Sequence, residues 1–423
     1  MTYKTIDDAN RAVIDKIIAS SPVLLDVVPA KDVIKELNDE DNPTLLHAGP
    51  PIEWENMPHP VQGSCIGAAI FEGWADNEDE ALELLSSGEV RLVPCHSVDA
   101  VGPMGGITSA NMPVFVAEDT SEGNRAYCIM NEGIGKVLRF GANSQEVIDR
   151  LHWMTNVLGP TLGEALRTIE GGLSINPMIA QAIAMGDEFH QRNIAGSLVF
   201  LKELSPIIAA LDMDDKDRKD VINFLADTDQ FFLNIMMASA KVVMDSAARI
   251  EYGTVVTAMA RNGENFGIKI AGMGDEWFTA PVNTPQGLYF TGYTAEDANP
   301  DIGDSAITET FGVGGMAMIA APAVTRFVGT GGFDDALNTS NDMLEICVDQ
   351  NPNFIVPTWD FQGICLGIDA RKVVETGIEP VINTGIAHKI AGKGQIGAGT
   401  VNAPIKCFEK AITAYAKKLG YES

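Results

Sequence analysis

Apolar residues recur at helical spacing from the start of the chain: Ile6, Ala9, Val13, Ile14, Ile17 and Ile18 predict an amphipathic helix. The run PVLLDVV, Pro22–Val28, then reads as a buried strand and Ala30–Leu37 as a helix. Thr44–His47 predicts another strand. Asn77 with Glu80 forms a capping-box signal for a helix that stops at Gly88. Val90–Cys95, Pro113–Ala117 and Arg125–Met130 are short strand candidates. This alternation predicts an α/β domain over residues 1–143.

The texture changes between residues 144 and 251, where helical periodicity dominates and β-branched runs are scarce. Helices are expected over Ser144–Leu158, Asn176–Met185, Asp187–Leu204, Asp217–Leu225 and Asp229–Ile250. Pro177 near a helix start and Gly186 past its last turn follow the usual asymmetry of helix ends. Strand patterns return after Tyr252. TVVTAMAR and ENFGIKIAG flank Asn262-Gly263, a pair suited to a type I′ hairpin turn. A Gly-rich α/β part over residues 252–423 closes with a helix near Ile405–Leu419. The expected fold is mixed α/β and multidomain, with a helical subdomain inserted between two α/β parts.

Composition narrows the function. With 423 residues and 46% hydrophobic content the chain can bury more than one core, and disordered or disulfide-stapled classes are excluded. Lys plus Arg total 29 against 58 Asp plus Glu, a net charge of −29. No basic stripe is available for nucleic acid or an acidic membrane surface, so neither is an expected partner. An anionic ligand would require a local pocket of backbone N–H groups and a few cations, built against the protein's own field. The six cysteines are scattered, without zinc-type spacing or a disulfide framework, and read as reduced thiols. Asp7 and Asp8 stand where a signal peptide needs an apolar core, so a cytoplasmic location is expected.

Candidate chemistry concentrates in glycine clusters and one polar motif. The clusters include Val101–Ile107, with Gly105 and Gly106; Asn131–Lys136, with Arg139 close behind; and Ala391–Gly399, with Gly392, Lys393, Gly394 and Gly397. Glycine lets backbone amides approach an oxyanion, and a neighbouring Lys adds charge. None matches a P-loop or dinucleotide fingerprint, and no cofactor is expected. In Gly186–Asn193, a helix capped by Asp187 would pair Glu188 with Arg192 four residues on and hold His190 within the same turn. His190 would then be a neutral acid–base group, and Arg192 a fork for a carboxylate. A capped helix with a surface ion pair is the plainer reading of the same residues. A metal site on Asp187, Glu188 and His190 is disfavoured because a borderline metal wants more than one His, so none is expected. His388, just ahead of the last cluster, is the next histidine candidate. There is no GxSxG elbow, so no sequence motif supports acyl-enzyme chemistry.

At these motifs the chain resembles a known family. LLHAGPP, PCHSVDAVGPMGGITSANMP, GNRAYCIMNEGIGKVLRFG, MGDEFHQRNIA, WFTAPVNTPQGLYFTGY, NPDIGDSAITETFG and TGIAHKIAGKGQIGAGTV are similar, in order and spacing, to the YlbE/AllG family, formerly a domain of unknown function. The resemblance implies one subunit of oxamate carbamoyltransferase, an oligomer that includes an FdrA-like subunit and a third chain. It also implies the reaction: phosphorolysis of oxalurate to oxamate and carbamoyl phosphate in allantoin breakdown. A non-catalytic scaffold, or a binding protein for a small ureido acid or dicarboxylate, would fit the same residues. Two anions must meet in this reaction, which calls for oxyanion cradles and cations. Phosphate is expected at the Ala391–Gly399 loop with Lys393, aided by Lys136 or Arg139. Arg192 is expected on the oxalurate carboxylate, with His190, or failing that His388, protonating the leaving nitrogen.

Overall fold

The helix Ile6–Ala19 begins at Thr5, whose hydroxyl accepts from Asp8 N–H while the Asp8 carboxylate accepts from Thr5 N–H, and its apolar face packs into the main core. The computed structural model describes residues 3–39, 41–133 and 135–421. A five-stranded sheet takes the order Ala100–Val101, Arg125–Ile129, Pro113–Asp119, Pro22–Pro29, Leu173–Ser174. Its last strand therefore comes from the helix-rich stretch and pairs with Val23 and Leu24. A second sheet carries Phe278–Pro281, Asn265–Ile270, Val256–Asn262 and Ile302–Gly303, and a third carries Gln286–Tyr289, Gln395–Asn402 and Val381–Ala387. The fold is mixed α/β, as the alternating pattern predicts.

The helix Phe231–Ala248 lies at the centre of the packing. It is long and apolar enough to cross a membrane, yet 89% of it is buried inside the protein. It packs on the strands Pro113–Asp119 and Arg125–Ile129, on the helix Ile6–Ala19 and on the short helix Ile307–Phe311. Phe231, Phe232, Ile235, Met236 and Met237 join one core with residues from Val13 to Tyr415, so all three stretches of the chain contribute to it. Burying a side chain such as Phe232 stabilises by roughly 1.5–3 kcal/mol.

Several elements differ from the sequence reading, each for a local reason. Ala30–Leu37 forms two short 3-10 turns, Ala30–Asp32 and Lys35–Leu37, because Ala30 and Lys31 donate their N–H groups to Met112 and Ala110 carbonyls and Ile34 is extended. The helix Gln145–Trp153 widens into a π turn at Met154–Leu158 and continues through Gly159-Pro160 to Arg167. Pro160 is tolerated there because the wider turn leaves its missing N–H unneeded. The hairpin at Asn262-Gly263 forms, but only Gly263 has positive φ, so its turn is not type I′. Asn262 Oδ1 instead accepts from the N–H groups of Glu264 and Asn265.

The largest departure is Gly186–Asn193, which is a folded loop; the helix begins at Ile194 and runs to Ala210. Asp187 still caps it, from further back, with Oδ2 accepting from Gly196 N–H at 2.7 Å. Glu188 makes no side-chain pair with Arg192. Its Oε1 accepts from the N–H groups of Gln191 and Arg192 at 2.5 and 2.6 Å, and its Oε2 from Asn383 Nδ2 at 2.9 Å. Phe189 sits at φ 69°, a strained value for an aromatic residue, offset by full burial against Phe232 with ring centroids 5.6 Å apart. The loop is thus rigid, held by two buried carboxylates and one aromatic anchor.

Burial pushes the Glu188 carboxyl up to about 7, against the opposing pull of His190 and the Arg192 N–H. In the unfolded chain it ionises near its ordinary value of about 4.3. Its stabilising contribution is therefore full below that value and is lost as pH rises through about 7. Glu188→Gln stays neutral, and the Asn383 amide, whose Oδ1 lacks a partner, can turn to accept from it. The melting temperature of the variant relative to the parent is expected to rise between about pH 5 and about pH 8. Parallel melting curves across that range would refute it.

Candidate active site

Two linked hollows lie where the five-stranded sheet, the Gly186–Asn193 loop and the third sheet meet. The outer one is a cleft of about 590 Å³ lined by Lys136, Arg139 and Lys393, together with Gln191, Asn193, Gln230, Gly394 and Gln395. The inner one, about 30 Å³, shares Asn131, Arg139, Phe140, Gln191, Gln230 and Gln395 with it and adds His190 and Ser305. Phe290 and Phe327, each nearly half exposed, also line the outer cleft.

The cations converge through a chain of hydrogen bonds. Asn234, buried on the central helix, donates to Ile129 O at 2.5 Å and accepts from Asn131 Nδ2 at 3.2 Å, fixing the exit of a strand. Asn131 Oδ1 accepts from Gly133 N–H and from Arg139 Nη1 at 3.1 Å, and Gly133 O accepts from Arg139 Nη2 at 2.9 Å. Glu132 is buried and accepts from the N–H groups of Leu138 and Arg139, closing the turn that carries Arg139. Burial lowers the Arg139 pKa and raises that of Glu132. Gly392 N–H donates to Phe140 O at 3.0 Å and His388 N–H to Gly394 O, which lays Lys393 across the same opening. Among the described residues none of Lys136, Arg139 and Lys393 makes an ion pair. Asp229 is the acidic residue of the cleft lining.

At the inner end His190 is 3% exposed and bonded on both ring nitrogens. Nδ1 lies 2.7 and 2.9 Å from the two Glu309 oxygens, and Nε2 lies 2.9 Å from Ser305 Oγ. The carboxylate favours the proton on Nδ1, which leaves the Nε2 lone pair to accept from Ser305 Oγ–H. Glu309 also accepts from the N–H groups of Gly315 and Asn383 at 2.9 and 3.1 Å, and from Thr308 Oγ1 at 3.0 Å. Behind Ser305 lies a fully buried pair, Arg261 Nε to Asp301 Oδ2 at 2.7 Å.

Other expected residues lie elsewhere. Arg192 is turned away from the cleft: Gln191 and Asn193 face it, while the Arg192 guanidinium lines a separate hollow with Met185 and Pro322 and sits 3.4 Å from Asp187. Glu188 is sealed in the loop and lines neither hollow. His388 accepts from Ile390 N–H on Nδ1 at 2.9 Å and packs edge-on against Tyr293, so it frames the Lys393 loop from outside; burial lowers its pKa. Gly397 lies inside a strand, where an added Cβ would come within 2.4 Å of Leu288 O, so it serves sheet packing. Gly105 and Gly106 brace the wall, Gly105 through its N–H to Arg139 O and its carbonyl to Ala48 N–H. Pro103 and Met104 of that cluster reach the inner hollow.

Ser305, Glu309 and Arg261 escape the sequence reading. The signal available was GDSAITE, a Gly-Asp-Ser turn with Glu309 four residues after Ser305, but no serine-hydrolase motif marks it.

Comparison with known proteins fixes the family. Residues 90–305 match the family model described as oxamate carbamoyltransferase subunit AllG. The oxamate carbamoyltransferase subunit AllG of Escherichia coli (strain K12) is 58% identical over 418 residues, 99% of each chain. The uncharacterized protein YahG of the same organism is 46% identical over 412 residues, 97% of this chain and 86% of that protein. A crystal structure of a conserved protein of unknown function from Enterococcus faecalis V583 superposes with a TM-score of 0.94 at 46% identity, covering 97% of this chain and 98% of that one. A likeness of that extent makes this chain a member of the AllG family.

Proposed function

We propose that this chain is a subunit of a carbamoyltransferase that cleaves oxalurate with phosphate, giving oxamate and carbamoyl phosphate. The observation that carries the reading is the meeting of Lys136, Arg139 and Lys393, without ion-pair partners among the described residues, in one cleft of a chain with net charge −29. An anion entering the cleft would meet these three cations against a single acidic lining residue, Asp229, a local balance opposite to that of the whole chain. The volume, about 590 Å³, suits two small anions and not a macromolecule.

Phosphate takes the outer position between Lys393 and Lys136. The oxalurate carboxylate takes Arg139, which lines both hollows, because Arg192 faces the other way. The scissile carbamoyl group then falls toward His190. Nε2 of His190 carries a proton from the incoming nucleophile to the departing nitrogen, so that oxamate leaves as a neutral amide. The partners in this reading are the FdrA-like subunit and the third subunit of the transferase, in an oligomer. A cytoplasmic setting is in keeping with six free, buried thiols.

Removing one charge-assisted contact to an anion costs roughly 1.5–3 kcal/mol, or about 10–100-fold in binding. Lys136→Ala and Lys393→Ala are each expected to raise the KM for phosphate by about that factor in the assembled transferase, with a smaller change in kcat. Arg192→Ala separates the two carboxylate assignments: the KM for oxalurate stays in place if Arg139 holds the substrate and climbs if Arg192 does.

Binding is testable without turnover. Phosphate at 100 times its dissociation constant should stabilise the protein by roughly 2.7 kcal/mol, visible as a melting shift that Lys393→Ala removes. The absence of any shift with phosphate or oxalurate, for the chain alone and for the assembled complex, would defeat the anion-cleft reading.

A further inference from the structure

We propose that Ser305 is a nucleophile of this site and that transfer runs through a carbamoyl-serine; the identity of the acyl group rests on the carbamoyl-transfer reading above. Ser305, His190 and Glu309 form a line of hydrogen bonds with separations of 2.9 and 2.7 Å. The order of atoms is that of a nucleophile–base–carboxylate relay: Oγ–H to Nε2, and Nδ1–H to a carboxylate oxygen. The carboxylate is fixed by two backbone N–H groups and Thr308, and Gly314, at φ 65°, leaves it room, since a Cβ there would come within 2.1 Å of Glu309 Oε1.

Two further observations separate this arrangement from an ordinary buried polar cluster. A serine that serves only packing usually closes its hydroxyl on a carbonyl of its own turn, as Ser64 does with Pro60 O. The hydrogen-bond partners of Ser305 Oγ among the described residues are the imidazole and the Arg261 guanidinium, whose Nη1 and Nη2 lie 3.4 and 3.5 Å away. Arg261 is immobile, tied to Asp301 and to Gly303 O at 2.8 Å, so positive charge stands beside the oxygen that would become anionic. The serine also follows a sharp turn out of the strand Ile302–Gly303, with Gly303 at φ 125°, and leads into the helix Ile307–Phe311. Ser305 and His190 line the inner hollow, which shares Arg139 and Gln191 with the cationic cleft.

The steps balance. Ser305 Oγ attacks the carbamoyl carbon of oxalurate, and its proton passes to His190 Nε2. The bond from that carbon to the oxamate nitrogen breaks, and Nε2 returns the proton to the nitrogen. Oxamate leaves, with the carbamoyl group esterified to Oγ. A phosphate oxygen then attacks the same carbon and gives its proton to Nε2. The Oγ–carbon bond breaks, Oγ recovers the proton, and carbamoyl phosphate departs. No oxidant, reductant or metal enters.

The assembled transferase incubated with oxalurate and no phosphate is expected to show this chain heavier by one carbamoyl group, mapped to the Ser305 peptide and discharged when phosphate is added. Initial rates should follow a ping-pong pattern. A fluorophosphonate probe, which needs only an activated serine and not oxalurate, should label Ser305. Ser305→Ala abolishes the label, and His190→Gln slows it by about 100-fold or more. Labelling of Ser305 without oxalurate turnover keeps the nucleophile and rejects the substrate. Turnover with no adduct, no label and full activity in a folded Ser305→Ala protein rejects the nucleophile and keeps the substrate.

Discussion

The buried Arg261–Asp301 pair is the constraint around which the site is arranged. Taking a guanidinium and a carboxylate out of water costs several kcal/mol per ion, recovered only if every donor and lone pair finds a partner. Here Arg261 Nε meets Asp301 Oδ2, Thr384 Oγ1 donates to Asp301 Oδ1, and Gly303 O accepts from Arg261 Nη1. These bonds draw the hairpin strand Val256–Asn262, the strand Val381–Ala387 and the segment from Asp301 onward to one point. Asp304, next along that segment, accepts from the N–H groups of Gly49 and Gly102 at 2.8 and 3.0 Å, so the N-terminal loops are tied to the same place. Asp304 is fully buried, and that burial pushes its carboxyl up to about 7. Ser305 and Glu309 then have little freedom, because their neighbours are fixed by charge.

The elements legible in the sequence are those whose signals are local. The first helix, the strand at Pro22–Pro29 and the final helix Ile405–Lys418 follow from periodicity. The Gly186–Asn193 loop does not, because Asp187, Glu188 and Arg192 read equally well as a capped first turn, and the choice is made by distant groups: Asn383 on Glu188 and Phe232 on Phe189. Lys136, Arg139 and Lys393 stand out in the sequence as glycine-flanked cations, a pattern written within a few residues, and the fold brings them to one cleft. Arg192 lies apart from them because the same loop turns residues 191 and 193 toward the cleft and residue 192 away. Ser305 with Glu309 carries only the faint signal GDSAITE, because their meaning depends on His190, 115 positions from Ser305.

The two parts of the site have different mechanical character. The inner group is held by fully buried partners, and His190, Ser305, Glu309 and Arg261 are each 3% exposed or less. Groups so enclosed keep their geometry and need no reorganisation when charge develops. Lys136 and Lys393 are exposed and lie outside helices and strands. The proposed carbamoyl transfer would use both, since a reacting carbon requires fixed dipoles while a small anion must enter and a product must leave.

The acidity of the chain bears on this division more than on the fold. A net charge of −29 would repel dianions if it acted at full range. At physiological ionic strength the screening length is about 8 Å, close to the edge of a cube of 590 Å³. A phosphate inside the cleft therefore feels Lys136, Arg139 and Lys393 far more than acidic groups on remote faces. Low-dielectric walls strengthen that attraction, and an anion outside gains nothing from the remaining surface. On the proposed reading, a preference for small anions would follow from where the few cations are gathered, with the surrounding negative charge leaving polyanions no extended surface to bind.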